Sequence, residues 1–179
     1  MNSIRSLQTL IDRLPSCSGS DYVRIARNMA IDPSDFVQYM HWSTDHYTRN
    51  CIARSEKYEL ILLCWEQGQI TPIHCHGGEE CWVYMVQGEL EEFRYEKDPT
   101  KDSIQLMDQT HMKAGQLSYM NDLMGFHKLS NIYPGRSMSL HLYMNPIAQC
   151  NIYDEDKGCF RERNLKYYSL EGEILEATV

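Results

Sequence analysis

Apolar residues recur at helical spacing near the start of the chain and at strand spacing in the rest. Over residues 3–13 they fall three or four positions apart, which is the period of an amphipathic helix. A second short helix is predicted to begin at Ser20 or Asp21, and a third at Pro33, because proline is favoured in the first helical turn. We expect these helices to cover one side of the sheet that follows.

From Trp42 onward the pattern favours short β-strands separated by turn residues. The run Tyr58–Trp65 is apolar nearly throughout, as expected for a strand that is buried on both faces. Gln87-Gly88 lies between two strand-like runs, Cys81–Val86 and Glu89–Tyr95, and so predicts a β-hairpin. Many short strands with turn signals at regular intervals are typical of a β-sandwich or a β-barrel.

Composition narrows the class of protein. A chain of 179 residues predicts one domain, residues 1–179, with a helical segment over about 1–41 and β-structure over about 42–179. The formal net charge of -8 argues against nucleic acid or an anionic membrane as a partner. No apolar run approaches the roughly 20 residues of a membrane span. Seven cysteines without a CxxC pair indicate free thiols in a reducing compartment, so we expect a cytoplasmic protein and a monomer.

Two histidines and a distant third carry the candidate chemistry. His74 and His76 are two residues apart, and alternate side chains of a strand share a face, so both imidazoles can point at one atom. His127 lies far downstream in another strand-like run. Histidine is the commonest metal ligand, and three neutral imidazoles leave coordination positions open for a substrate. The sequence therefore predicts a metal site of His74, His76 and His127 within the β-structure.

The spacing of glycines and histidines around this site resembles the two sequence motifs of the cupin superfamily. The first motif corresponds to residues 68–88 and the second to residues 115–131. The chain departs from the usual motifs at Cys81, where most cupins carry glutamate, and before His127, where Gly125 replaces the usual Pro-x-Gly. The resemblance implies a mainly β fold, the cupin jelly-roll β-barrel, with the short α-helical segment at its N-terminus.

Within the cupins, the chain resembles the cysteine dioxygenase family from Tyr47 onward. The similar segments are Tyr47-Thr48-Arg49-Asn50, Leu63-Cys64-Trp65, the run 74–81, Gly125-Phe126-His127 with Asn131, and Ser139-Leu140-His141-Leu142-Tyr143. The resemblance implies that the three histidines bind Fe(2+) and that Cys81 and Tyr143 form a thioether crosslink beside it. It also implies the oxidation of L-cysteine by O2 to cysteine sulfinic acid, in which both oxygen atoms pass to sulfur.

The same resemblance gives expected roles to the polar side chains around the substrate. Arg49 is expected to bind the carboxylate of cysteine, because a guanidinium offers a planar fork that matches a carboxylate. Tyr47 lies on the same face and is expected to line the pocket. Tyr143 can donate to the carboxylate or to dioxygen. His141 shares the strand face of Tyr143 and can orient its phenol, with Ser139 supporting His141.

Two questions stay open in the sequence. Glu80 has a spacing that ordinary cupins use for a fourth ligand, whereas Cys81 matches the motif better when counted from Gly88; either could face the metal. The substrate could also be another small thiol carboxylate such as 3-mercaptopropionate, although relatives specialised for it usually lack the crosslink cysteine. The remaining alternatives are a cupin isomerase or oxalate-type enzyme with Glu80 as a ligand, and a cupin that binds metal without catalysis.

Overall fold

A computed structural model describes residues 3–101 and 103–175. The helical part of this structure comprises α1 (Leu7–Arg13) and α2 (Ser20–Arg27), with 3-10 helices at Leu14–Ser16, Pro33–Tyr39 and Asp122–Met124. None of the helices in these two ranges is long and apolar enough to cross a membrane. One domain over residues 1–179 stays a prediction, and its residues 1–2, 102 and 176–179 lie outside the described part.

The strands form two sheets. They are β1 (Thr48–Arg54), β2 (Tyr58–Trp65), β3 (Ile73–His74), β4 (Glu80–Gln87), β5 (Glu89–Lys97), β6 (Ile104–Lys113), β7 (Leu117–Met120), β8 (Phe126–Ser130), β9 (Ser137–Met144), β10 (Gln149–Asp154), β11 (Cys159–Asn164), β12 (Ser169–Leu170) and β13 (Glu173–Ile174). One sheet has the order β13-β12-β1-β2-β9-β4-β7 and the other β11-β10-β3-β8-β5-β6. Side chains from both sheets meet in one buried cluster, so the sheets face each other as the walls of a barrel.

Strand β2 shows how the helices and the barrel share one sheet. Its Leu60 and Leu62 pack outward in a cluster that includes Leu10 of α1, whereas Ile61 and Leu63 point into the barrel. Because successive side chains of a strand point to opposite faces, both faces of β2 are buried, as its apolar sequence predicts. The expectation that the N-terminal helices cover one side of the sheet is confirmed.

The predicted hairpin at Gln87-Gly88 is wrong. Strand β4 pairs with β7 and β9, whereas β5 pairs with β6 and β8 in the other sheet. The chain crosses between the sheets at Gly88, whose φ is 74° and where an added Cβ would lie 2.4 Å from Ser137 Oγ. The local turn signal is real, but pairing between distant segments decides which strands become neighbours.

Candidate metal centre

Three histidines converge inside the barrel. His74 on β3 lies directly opposite His127 on β8, and their ring centroids are 4.6 Å apart. The ring of His76 lies 4.8 Å from that of His127. One potential ligand nitrogen from each ring lies within 4.8 Å of the other two. Among residues 3–101 and 103–175, this is the one cluster of histidine, cysteine or acidic side chains that could hold a metal ion. The structure thus brings the three predicted ligands together as a candidate metal centre.

His76 reaches this centre from just beyond the strand. Strand β3 ends at His74, but the N–H of Cys75 still donates to the carbonyl of Asn151 at 3.0 Å. The N–H of His76 then donates to the Asp122 carboxylate at 2.6 Å, which fixes the turn that follows. The imidazoles of His74 and His76 therefore point to one place, as the alternation predicts, although the regular strand is shorter than expected.

The hydrogen bonds of these rings suit a bound cation. The Nδ1 of His74 lies 3.0 Å from the carbonyl of Pro72, and the Nδ1 of His127 lies 2.8 Å from Glu92 Oε1. Since a carbonyl and a carboxylate only accept, each Nδ1 is assigned the proton, which leaves Nε2 as a lone-pair donor to metal. The Nε2 atoms of His76 and His127 lie 3.0 Å apart, a separation at which a shared cation satisfies both lone pairs.

Burial keeps these imidazoles in the form that binds metal. Burial lowers the pKa of His74 to about 3, and the repulsion that a protonated His127 would exert is the next cause. The same two causes lower the pKa of His76 well below its ordinary value. Neutral imidazole is the metal-binding form, so at neutral pH His74 and His76 are in the protonation state that metal binding requires.

Glu92 supports the centre from behind and is not singled out by the sequence. It is 2% exposed on β5. Burial alone would raise the pKa of its carboxyl, but the hydrogen bond from His127 and the electrostatic attraction of His127, when protonated, and of Arg94 lower that pKa to about 2. An ionised carboxylate behind a histidine fixes the ring orientation. The sequence does contain an indication of this role. Glu92 shares a strand face with the apolar Leu90, and an acidic side chain on a buried face is rare unless it is paired.

Cys81 faces the barrel interior, and its neighbour Glu80 does not. Cys81 is fully buried and lies opposite Tyr143 on the paired strands β4 and β9. The Tyr143 hydroxyl interacts with the Cys81 thiol, and burial raises the pKa of both groups. The ring of Tyr143 lies 5.6 Å from that of His76. The Glu80 carboxylate instead accepts a hydrogen bond of 2.8 Å from the Tyr119 hydroxyl, away from the histidines.

A chain of hydrogen bonds fixes His141 beside this pair. The indole N–H of Trp65 donates to Ser139 Oγ at 3.0 Å, and that oxygen lies 2.8 Å from Nε2 of His141. Because indole can only donate, Ser139 accepts from Trp65, and its own hydroxyl proton is free to be donated to His141. When Ser139 donates to Nε2, the His141 proton resides on Nδ1, which lies 3.9 Å from Cys81 Sγ. Ser139 is therefore a supporting residue for the His141 tautomer.

A pocket opens next to the centre. Five of the predicted site residues line it, namely Tyr47, Arg49, His74, His141 and Tyr143. Its apolar walls include Leu63, Leu129 and Ile152. Tyr47 is held by stacking on Trp65, with ring centroids 4.8 Å apart. The other three predicted residues, His76, His127 and Cys81, lie deeper, at 1%, 1% and 0% exposure. The pocket thus brings the guanidinium of Arg49 and the phenol of Tyr143 close to His74, an imidazole of the candidate metal centre.

The two facing sheets with an interior histidine cluster have the architecture of a double-stranded β-helix, the cupin fold. A protein of Thermus thermophilus has a TM-score of 0.51 at 16% identity, covering 62% of this chain and 94% of that one. A Klebsiella pneumoniae protein with a double-stranded β-helix domain has a TM-score of 0.50 at 17% identity, covering 61% and 80%. These likenesses show the fold alone, and they confirm the predicted cupin β-barrel with its helical N-terminal segment.

The sequence comparisons identify the family within this class. The family model of cysteine dioxygenase type I matches residues 4–156. Cysteine dioxygenase type 1 of Homo sapiens is 30% identical over 178 residues, covering 94% of this chain and 88% of that protein. The Danio rerio protein of the same name is 26% identical, covering 94% and 89%. The chain therefore belongs to the cysteine dioxygenase type I family, as its motifs predict.

Proposed function

We propose that the protein is an Fe(2+)-dependent dioxygenase that converts L-cysteine and O2 to cysteine sulfinic acid. The observation that carries this proposal is the position of three inward-facing histidines, of which His76 and His127 are buried and His74 is half-buried, beside a pocket lined by Arg49 and Tyr143. Membership of the cysteine dioxygenase type I family supports the same reaction.

His74, His76 and His127 would hold the iron. Their three imidazole nitrogens suit a divalent transition metal, and Glu92 and the Pro72 carbonyl hold two of the rings in place. When bound, ferrous iron would activate the thiolate and dioxygen for transfer of both oxygen atoms to sulfur. Cysteine supplies the electrons for this oxidation, so the reaction needs no organic cofactor or external reductant.

The pocket side chains bind and orient the substrate. Arg49 binds the cysteine carboxylate through its planar fork, which sets the direction of the thiol toward the histidines. The Tyr143 hydroxyl, whose high pKa keeps it protonated, donates a hydrogen bond to the substrate carboxylate or to dioxygen. Tyr47, stacked on Trp65, forms a wall on the Arg49 side. Leu63 and Leu129 add apolar surface to the pocket and limit access of water.

Cys81, His141 and Ser139 act on Tyr143. We propose that Cys81 and Tyr143 form a thioether crosslink, which is supported by their directly opposed positions on β4 and β9. His141, fixed by Ser139, packs with its ring centroid 6.3 Å from that of Tyr143. Both arrangements restrict the phenol to one position, so the hydroxyl is placed before the substrate binds.

Oxygen consumption tests the proposed function. The iron-loaded protein should consume one O2 for each L-cysteine and yield cysteine sulfinic acid, detected by mass spectrometry with both oxygen atoms from labelled O2. With 3-mercaptopropionate in place of L-cysteine, the same assay decides between the two thiol carboxylates. Oxygen uptake at the rate of a protein-free iron control, with either thiol, would remove the proposal.

We also propose that the protein works as a cytoplasmic monomer. All seven cysteines are free, and six of them are buried in the structure, which suits a reducing compartment. Light scattering coupled to gel filtration tests the monomer, for which the sequence mass is 21.0 kDa.

A further inference from the structure

Arg49 lies against a buried carboxylate, Glu59 of strand β2. The two side chains are 11% and 0% exposed, and Arg49 Nη2 lies 3.7 Å from Glu59 Oε2. That distance is an ion pair but is too long for a hydrogen bond. Within the described residues, Nε and Nη2 of Arg49 and Oε2 of Glu59 have no hydrogen-bond partner. The guanidinium thus has a counter-ion, while part of its donor fork stays free.

Tyr167 binds the other oxygen of the same carboxylate. Its hydroxyl donates a short hydrogen bond to Glu59 Oε1. A buried carboxylate without partners is costly, and a close hydrogen bond from a neutral donor lowers that cost without adding charge. With the Tyr167 hydroxyl bonded to Oε1, the Glu59 carboxylate requires fewer hydrogen bonds from Arg49. The backbone N–H of Ile147 also bonds to this carboxylate, and Arg49 is its ion-pair partner among the described residues. Without the Tyr167 hydroxyl, Glu59 would therefore draw the guanidinium toward a bidentate pair, in which the donors are consumed.

Tyr167 belongs to the C-terminal segment 163–170, which lies beyond the residues that the family model matches. That match ends at residue 156, yet Arg163 and Leu165 line the pocket. The N–H of Tyr168 donates to the carbonyl of Arg49 at 2.7 Å, and β12 pairs in parallel with β1. Residues 163–170 therefore hold the backbone of Arg49, and through Glu59 they also act on its side chain.

We propose that Glu59 and Tyr167 are positioning residues that hold the Arg49 guanidinium in one direction with its donors free for the substrate carboxylate. This inference rests on the proposed role of Arg49 as the carboxylate clamp. It extends the clamp to a chain of three side chains, Tyr167 to Glu59 to Arg49. The C-terminal segment then becomes a determinant of specificity for thiols that carry a carboxylate.

Anaerobic binding to the iron-loaded protein tests this chain of contacts without requiring turnover. Tyr167→Phe should weaken L-cysteine binding about tenfold, the loss expected for a hydrogen bond to a charged group. Binding of cysteamine, a thiol amine without a carboxylate, should stay within about twofold of the parent. The matched control is Tyr168→Phe, which should bind both thiols as the parent does, since among the described residues no hydrogen bond involves its hydroxyl.

A double-mutant cycle separates positioning from a general structural effect. In a Glu59→Gln background, where no buried anion competes for Arg49, adding Tyr167→Phe should change cysteine binding less than about twofold. Steady-state kinetics of Tyr167→Phe should show a raised KM with kcat nearly unchanged. Circular dichroism confirms that each variant is folded. If Tyr167→Phe alone does not fold, cysteine binding by Glu59→Gln is compared with that of the Glu59→Gln, Tyr167→Phe double variant.

The outcomes separate this inference from the proposed function. Equal loss of cysteine and cysteamine binding in Tyr167→Phe, parent-like cysteine binding, or an undiminished effect in the Glu59→Gln background would each overturn the positioning role. A parent protein that binds cysteine but consumes no oxygen would defeat the dioxygenase proposal and leave the binding test intact.

Discussion

Cys81 and Tyr143 lie directly opposite each other on the antiparallel strands β4 and β9, with both side chains inside the barrel. Directly opposed residues of such a pair have Cβ atoms about 4.5–5.5 Å apart. Sulfur and a ring carbon can therefore join without moving the backbone. The strand register thus supplies the geometry on which the proposed crosslink depends.

Aerobic incubation with ferrous iron and L-cysteine should convert part of the protein to the crosslinked form. Formation of the bond removes one hydrogen from the thiol and one from the ring, and dioxygen accepts the electrons, so the intact mass should fall by about two hydrogens. Cys159→Ser is the matched control and should show the same loss, whereas Cys81→Ser should not. Peptide mapping that finds only free Cys81 and unmodified Tyr143 after turnover would disprove the crosslink.

Loss of one histidine ligand should remove most of the metal. We expect His127→Ala to bind little iron, because two imidazoles remain and the side chain opposite His74 is lost. His111→Ala is the control, since that imidazole lies 2.7 Å from Glu89 and outside the histidine cluster. Iron content measured by atomic absorption distinguishes them. A full equivalent of iron in His127→Ala would contradict the ligand assignment.

Glu92 should affect iron affinity without being a ligand. We expect Glu92→Gln to weaken iron binding about 10–100-fold, the usual effect of changing a carboxylate behind a ligating histidine. The amide preserves volume but accepts more weakly from Nδ1 of His127. Competition with a chelator of known affinity measures the change, and Glu91→Gln on the same strand is the control. Parent-like iron affinity in Glu92→Gln would show that the carboxylate is not needed to orient His127.

Arg49 should govern binding of carboxylate-bearing thiols. We expect Arg49→Gln to weaken L-cysteine binding by about 2–5 kcal/mol, the range for truncating one member of a buried charge pair, while iron content is unchanged. Part of that loss reflects Glu59, which is left without its counter-ion. Arg136→Gln is the control, because that exposed guanidinium pairs with Glu66 and lies outside the pocket lining. If the parent turns over cysteamine as well as it does cysteine, a carboxylate clamp at Arg49 is ruled out.

The strongest sequence predictions came from residues whose partners are close along the chain or fixed by a motif. The buried strand β2 and the positions of the three histidines are of this kind. The hairpin at Gln87-Gly88 failed because the neighbours of β4 and β5 come from distant segments. Turn chemistry alone does not determine that choice, since a glycine at positive φ serves a sheet crossing as well as a hairpin.

The residues that the sequence does not single out are acids on the buried faces of strands. Glu59 lies in the run Tyr58–Trp65, and Glu92 alternates with Leu90, so each marks a buried face that carries a charge. Their partners cannot be identified from spacing. Tyr167 is 108 positions from Glu59, and His127 is 35 from Glu92. Local pattern shows that a buried acid needs a partner, but only the folded chain shows which one.

His141 should make the stability of the protein depend on pH. Burial lowers the pKa of His141 well below its ordinary value, and the repulsion that a protonated His127 would exert is the next cause. The folded protein therefore keeps this ring neutral while the unfolded chain protonates it near pH 6.5. Because the unfolded state binds the extra proton, the stability associated with His141 is complete above about pH 6.5 and is lost as pH falls.

Urea unfolding of the metal-free protein measures this dependence. Between pH 7.5 and 5.5, His141 should remove about 1.4 kcal/mol from the free energy of unfolding, the value for one proton over one unit below its unfolded pKa. The glutamine of His141→Gln can still accept from Ser139 but does not titrate, so its free energy of unfolding should lack this loss of about 1.4 kcal/mol. The difference in free energy of unfolding between the parent and His141→Gln should therefore be smaller at pH 5.5 than at pH 7.5. A cost that stays constant or grows on acidification would mean that His141 is protonated in the folded protein, and the assigned hydrogen bond from Ser139 to a neutral Nε2 would then be wrong.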